Sequence, residues 1–285
     1  IKATGKPFGI FGTTIQTIDE TLKNLLLKAS FIYTRETASF DVLIKNGIEK
    51  PIRNFVPDAT FFMHLKDEER ADIFLKEKGL EHRKFICVIP RLRRTPYYII
   101  RPGSYTQEQI KSIDALNDSK KEEDHSKLRE AIISWVRSTG NKVLVCPEMT
   151  YQIDIMDELL INPLPDDVKP LVTKRGYWLP DEAASVYLHA FALLSFECHS
   201  PILSLVNGTP AFYLRQPEDT IKGQMYYDLG LSDRVFEIEQ VSGSDIVSGL
   251  SQLIKGYDSE LDRVRKLGKS IQRTYEKSIK SITYF

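Results

Sequence analysis

The sequence has no net charge to offer a partner: 39 basic residues balance 39 acidic ones over 285 positions. That balance removes the broad electrostatic field with which proteins gather nucleic acid or an anionic membrane. Long apolar runs are missing too. None approaches the eighteen or so residues that span a bilayer, so no membrane span is expected. Cysteine is scarce, and Cys87, Cys146 and Cys198 are far apart and odd in number. They make no disulfide framework and no zinc spacing. Cys87 and Cys146 sit inside apolar runs and read as buried thiols, which fits a reducing compartment and a cytoplasmic address. His64, His82, His125 and His189 show no ligand spacing and read as structural or surface groups. Asp166-Asp167 lies among prolines and Asp154/Asp157 on a helix face, so no metal and no bound cofactor is expected. The chain opens at Ile1 rather than Met, and the expectation is that an amino-terminal part is missing and hides any signal peptide. No repeat or low-complexity tract occurs.

What is present is an alternation of short apolar strands with amphipathic helices. With 42% hydrophobic residues, the chain is long enough for two domains of ordinary size. Strands are expected at 7–12, 31–34 and 53–56, with helices over 19–28 and 39–45 between them. Crossovers of that length imply a parallel sheet. Asp67–Lys78 is a charged helix stopped by Gly79, and Phe85–Ile89 opens a new run of strands. The domains are therefore expected at 1–80, the remainder of an N-terminal Rossmann-like domain, and 81–258, a C-terminal one. A helix over 259–285 would pack back across both. The almost wholly charged stretch 117–130 reads as a solvated loop leading into a helix that ends near Ser138. Tyr97–Ile100 reads as an apolar continuation after a basic loop. Two Rossmann-like domains with parallel sheets make an α/β architecture of the GT-B type.

One stretch organises the rest, Ala192 to Arg215. Ala192–Phe196 reads as a buried strand tip; Glu197, Cys198 and His199 follow; and Ile202, Leu205 and Val206 recur at helical spacing. Asn207-Gly208 ends that helix and Thr209–Leu214 is the next strand. The polar triplet thus sits at the carboxyl end of a strand beside a helix N-terminus, where open α/β sheets bind ligands.

The order of these pieces resembles the polysaccharide pyruvyl transferase family. The block Phe11–Phe62 is similar to the family's glycine turn, helix and strand ending in Arg-Asp (here Arg35-Glu36). Ser39, a helix closing at Gly47, and an Asp-Pro-Ala-Phe-like stretch (here Asp58-Ala59-Thr60-Phe61) follow. The family's Ser-x-Arg-Leu-His and Gly-x-Pro are matched by Ser195, His199, Gly208 and Pro210. The resemblance implies a GT-B-like transferase that moves pyruvyl from phosphoenolpyruvate, a co-substrate, onto two hydroxyls of a glycan or lipid-linked sugar acceptor as a ketal. It points to bacterial exopolysaccharide biosynthesis. One position departs: the family's Arg, expected to hold the donor's negative charge, is Glu197 here, and the Leu after it is Cys198.

On that reading His199 is the general acid, since ketal formation needs a proton delivered near neutral pH. The alternative is a histidine hydrogen-bonded at a strand end. Glu197 is either an auxiliary acid or base, or the partner of a nearby arginine. Cys198 reads as a buried thiol, its side chain pointing away from its neighbour. Arg91 and Arg93 in the loop after Phe85–Ile89 are expected to bind donor anions, Arg91 by closest family match. Arg215 and Lys222, with Gln216 between them, would replace the charge missing at Glu197. Arg35 and Asp58 are placed toward the acceptor or, equally, in a loop-fixing ion pair; Glu148 could meet a sugar hydroxyl. Two rival functions remain: a GT-B glycosyltransferase using a nucleotide sugar, and a non-catalytic carbohydrate-binding relative.

Overall fold

The computed structural model describes residues 5–283. The chain divides into two compact units. One comprises residues 1–63, 219–232 and 265–285, and the other residues 64–218 and 233–264.

The first unit is built on a three-stranded parallel sheet of β1 (Gly9–Thr13), β2 (Phe31–Thr34) and β3 (Ile52–Phe55), in that order. Helices α1 (Glu20–Leu26) and α2 (Ala38–Lys45) make the crossovers. Asp19 caps α1 by accepting the Leu22 N–H at 2.7 Å. Leu26, Ile32, Leu43 and Ile48 are wholly buried and form the core with Ile15 and Ala29. Tyr275, near the chain's end, donates to the carbonyl of Pro57 at 2.5 Å and closes this unit.

The second unit carries α3 (Glu68–Lys78), β4 (Phe85–Ile89), the short α4 (Tyr97–Ile100) and the 33-residue α5 (Gln107–Thr139). Next come β5 (Lys142–Val145), α6 (Gln152–Met156), β6 (Val172–Lys174), α7 (Pro180–His189) and β7 (Ala192–Ser195). Then α8 (His199–Val206) and β8 (Ala211–Arg215) follow. The chain passes through α9 (Gln224–Asp228) in the first unit and returns as β9 (Val235–Glu237) and α10 (Gly243–Lys255). It leaves again along α11 (Tyr257–Ile282). The strands form one parallel sheet in the order β6-β5-β4-β7-β8-β9, the doubly wound arrangement whose direction reverses between β4 and β7. All five residues of β4 are buried, as expected for a parallel strand covered on both faces.

Helix α3 belongs to the second unit, so the compact units part between Met63 and His64. Sequence spacing put the break near residue 80. The reason lies in α7: Ser185 Oγ accepts the Asp67 N–H at 3.0 Å, and the Asp181 carbonyl accepts it at 3.2 Å.

The structure corrects two local expectations. Tyr97–Ile100 is a turn of helix, and the charged stretch 117–130 is the middle of α5, not a loop. Its inward stripe is polar yet buried: Asn117, Asp124, His125 and Arg129 each face the protein interior. Each has a partner there. Asn117 exchanges two bonds with the Arg94 backbone at 2.8 and 2.9 Å, and Arg129 donates to the Leu159 carbonyl at 2.7 Å. Thr106 opens α5 with a capping box shared with Gln109.

His125 is the most deeply committed of the four. It is wholly buried, its Nε2 accepts the Arg91 N–H at 3.3 Å, and its Nδ1 lies 2.6 Å from the Lys121 carbonyl, to which it donates. Burial drives its pKa down to about 4, against the pull of the Lys121 carbonyl and Asp124. Below the ordinary histidine value near 6.5 the unfolded chain takes up a proton that the folded one refuses. Stability contributed by the neutral ring is therefore complete above about 6.5 and lost as pH falls toward 4, in all by about 3 kcal/mol. His125→Gln is expected to flatten the fall of Tm between pH 6.5 and 4; an unchanged slope would exclude His125 as the titrating group.

Candidate functional site

The candidate site lies where the large sheet reverses direction. Ile89 of β4 pairs with Ser195 of β7, so residues two beyond each, Arg91 and Glu197, emerge side by side. They form an ion pair, Arg91 Nε to Glu197 Oε1, at 3.3 Å, and both side chains are buried. The turn after β7 is held by Ser195, whose Oγ accepts the Glu197 N–H and donates to the Glu197 carbonyl, each at 2.9 Å.

Gln152 of α6, which sequence reasoning did not single out, joins this pair to the next strand. It is wholly buried. Its Nε2 donates to Glu197 Oε1 at 2.8 Å, while its Oε1 accepts the N–H groups of Glu148 and Met149 at 2.7 and 2.9 Å. A glutamine is the side chain that can donate to a carboxylate and accept from backbone at once. Nothing in its sequence setting marked it.

Glu148, beyond β5, in turn faces the head of α8. Its Oε2 accepts both the N–H and the Oγ–H of Ser200 at 2.7 Å, and its Oε1 is 3.5 Å from His199 Nδ1. Cys198 Sγ lies 3.5 Å from the same nitrogen, so the adjacent thiol and ring face each other, contrary to the expectation that they point apart. The Cys198 sulfur and the Glu148 carboxylate together push the imidazole up to about 11, outweighing burial. Burial opposes charge on Glu148, yet His199 and Ser200 hold its pKa below the ordinary value. At neutral pH the pair is imidazolium and carboxylate.

The remaining basic candidates have carboxylate partners. Arg93 is 2% exposed and grips Asp124 with Nε at 2.5 Å and Nη2 at 2.8 Å, while its Nη1 reaches Glu239 at 3.0 Å and Glu218 at 3.3 Å. Gln216, wholly buried, donates to Asp124 at 3.0 Å and to the Arg91 carbonyl at 3.2 Å. Arg215 donates to Glu237 on the neighbouring strand at 2.5 Å. The structure therefore brings together Arg91, Glu197, Glu148 and His199 through Gln152, and engages Arg93, Arg215 and Gln216 in bonds across the strand ends.

The first unit holds the other three candidates. Arg35 bonds Asp58 and donates to Thr14 Oγ1 at 2.7 Å. Asp58 also accepts the N–H and Oγ–H of Thr60 at 2.8 and 2.7 Å; burial opposes its charge, but Thr60 and Arg35 prevail and its pKa is lowered. Beside them Glu36, wholly buried, accepts from Ser39 and from Thr14, and burial raises its pKa. Lys222 pairs with buried Asp219 at 3.2 Å.

The sequence profile of polysaccharide pyruvyl transferases matches residues 1–216. The chain belongs to that family. Comparison with curated protein sequences gave no match. Among solved structures, HepE of Anabaena, determined with UDP, superposes with a TM-score of 0.60 at 9% identity, covering 98% of this chain and 73% of that one. A UDP-N-acetylglucosamine 2-epimerase from Rickettsia bellii gives 0.53 at 9%, covering 97% and 68%. A glycosyltransferase from Rickettsia africae gives 0.55 at 10%, covering 96% and 66%. At such identities the likeness is one of fold, and the fold is the α/β, GT-B type. The match covers Ser195, Glu197 and His199, so the departure at Glu197 is a feature of a family member. No helix among the described residues is long and apolar enough to cross a membrane.

Proposed function

We propose that this family member transfers the pyruvyl group of phosphoenolpyruvate to two hydroxyls of a sugar acceptor. The observation that carries the reading is the place of His199, at the first turn of α8 with its Nδ1 3.5 Å from Glu148, at the carboxyl end of the sheet beside its reversal point; its raised pKa favours the charged ring. A cation at a helix N-terminus in that place suits a donor bearing phosphate and carboxylate.

In the reaction one acceptor hydroxyl adds to C2 of the enol phosphate while a proton reaches C3, so the methylene becomes a methyl; the proton that hydroxyl gives up replaces the one delivered to C3. The C2–O bond to phosphate then breaks, the second hydroxyl adds at C2, and its proton leaves with inorganic phosphate. In this reading His199 delivers the first proton and faces the charge that develops on the departing phosphate.

Glu197 decides the strength of donor binding. Its carboxylate stands against Arg91, so the guanidinium meets a donor already half neutralised. One carboxylate–phosphate repulsion over about 6 Å is worth roughly 1–3 kcal/mol between bulk-water and protein-surface screening. The test measures phosphate release from phosphoenolpyruvate with glycan acceptors, beside thermal shifts with nucleotide sugars. Phosphate release dependent on acceptor is expected, and Glu197→Gln should tighten phosphoenolpyruvate binding about tenfold. Stabilisation by a nucleotide sugar, with no response to phosphoenolpyruvate, would overturn the assignment.

A further inference from the structure

The local geometry around Glu148 bears on how His199 is held. The two carboxylate oxygens of Glu148 are divided in use. One receives both donors of Ser200, the other faces His199 Nδ1. Its own backbone is pinned as well, because the N–H groups of Glu148 and Met149 both donate to buried Gln152. Gln152 is bound on its far side by Glu197. The carboxylate therefore has little freedom of its own, while the ring it faces is 42% exposed.

We propose that Glu148 is the positioning residue for His199, fixing the ring against the head of α8 with one carboxylate oxygen while Ser200 and Gln152 fix Glu148. This rests on His199 being the reacting group. Nδ1 is the ring nitrogen turned to Glu148, at 3.5 Å, with Cys198 Sγ at the same distance. Charge follows the same geometry. Glu148 from the β5 loop and Cys198 from its own turn face the ring; Tyr187 of α7 is a phenol whose proton burial keeps in place. Of the two direct partners, a thiol sulfur is a weak acceptor, and Glu148 is the full negative charge. Cys198 and Glu148 both raise the pKa of the ring, and removing the charge of Glu148 is expected to lower it.

Two variants separate this from a merely structural carboxylate. Glu148→Gln keeps the size and an acceptor for Ser200 but removes the charge. Nuclear magnetic resonance titration of the His199 ring, on the full chain with no donor present, is expected to show its midpoint falling by on the order of 1–3 pH units. Cys198→Ala should leave the ring protonated at neutral pH. In the transfer assay Glu148→Gln should lower kcat/KM on the order of 10- to 100-fold, the cost of losing one charge-held contact. In a His199→Asn background the same change should cost almost nothing further, since the effect runs through the ring. An unshifted titration in a variant of unchanged Tm would overturn the proposal, as would a fall caused by Cys198→Ala instead. Equal activity losses in both backgrounds would overturn it too. The titration needs no substrate, so a wrong donor would appear as silence in the assay with the ring still responding.

Discussion

Phosphate release should fall by on the order of 10²–10⁴-fold when His199 is replaced by alanine, with the fold intact. The size follows from what the ring supplies. General acid catalysis by a placed side chain is worth that range, and the variant also removes a basic group at the head of α8 whose pKa is raised. Stability should change little, because the ring is 42% exposed. The partner it leaves, Glu148, keeps both bonds from Ser200. A further sign distinguishes charge from proton delivery. His199→Lys restores a cation without an imidazole, so recovery of donor binding without turnover is the expected pattern. Unaltered turnover in His199→Ala would end the assignment of this residue, and equal loss of binding and turnover in both variants would leave it as an anion-binding group only.

How far the sequence foretold this site depends on which bonds hydropathy can see. Strand tips and helix starts follow from apolar periodicity and from Gly208, whose positive φ of 77° closes α8, so the place of His199 at the end of β7 was readable. The pairing of Arg91 with Glu197 was foreseeable only as one of two alternatives, because it depends on β4 and β7 being neighbours in register. Strand order across a crossover is not written in either strand. The role of Gln152 had no signal at all, since its value comes from three groups on other segments. Charge misled most in α5. There a run rich in Asp, Glu and Lys reads as solvated, whereas Asn117, Asp124, His125 and Arg129 recur at helical spacing and bury their polar ends against partners. A polar stripe with helical period looks the same in sequence whether water or arginine satisfies it.

That same stripe yields the largest stability effect. Arg93→Ala is expected to destabilise the protein by about 3–5 kcal/mol, seen as a fall in Tm of roughly 6–20 °C for a unit of this size. Arg93 is 2% exposed, and its guanidinium is the common partner of Asp124, Glu218 and Glu239. Those carboxylates raise its own pKa against the opposing effect of burial. Truncation leaves Asp124, itself 1% exposed, without its guanidinium partner and with the Gln216 amide donating to it at 3.0 Å. Gln216 also bonds the Arg91 carbonyl, so the disturbance reaches the loop that carries Arg91 and its pairing with Glu197. The comparison that isolates the cause adds Asp124→Asn to Arg93→Ala. If an unpaired buried charge is the source, the double variant regains a large part of the lost stability, because an amide without a counter-charge costs less than a carboxylate without one. If the double variant is less stable than Arg93→Ala alone, the loss comes instead from the space the side chain filled, and Arg93 serves as packing between α5 and the strand ends rather than as the electrostatic anchor of the loop.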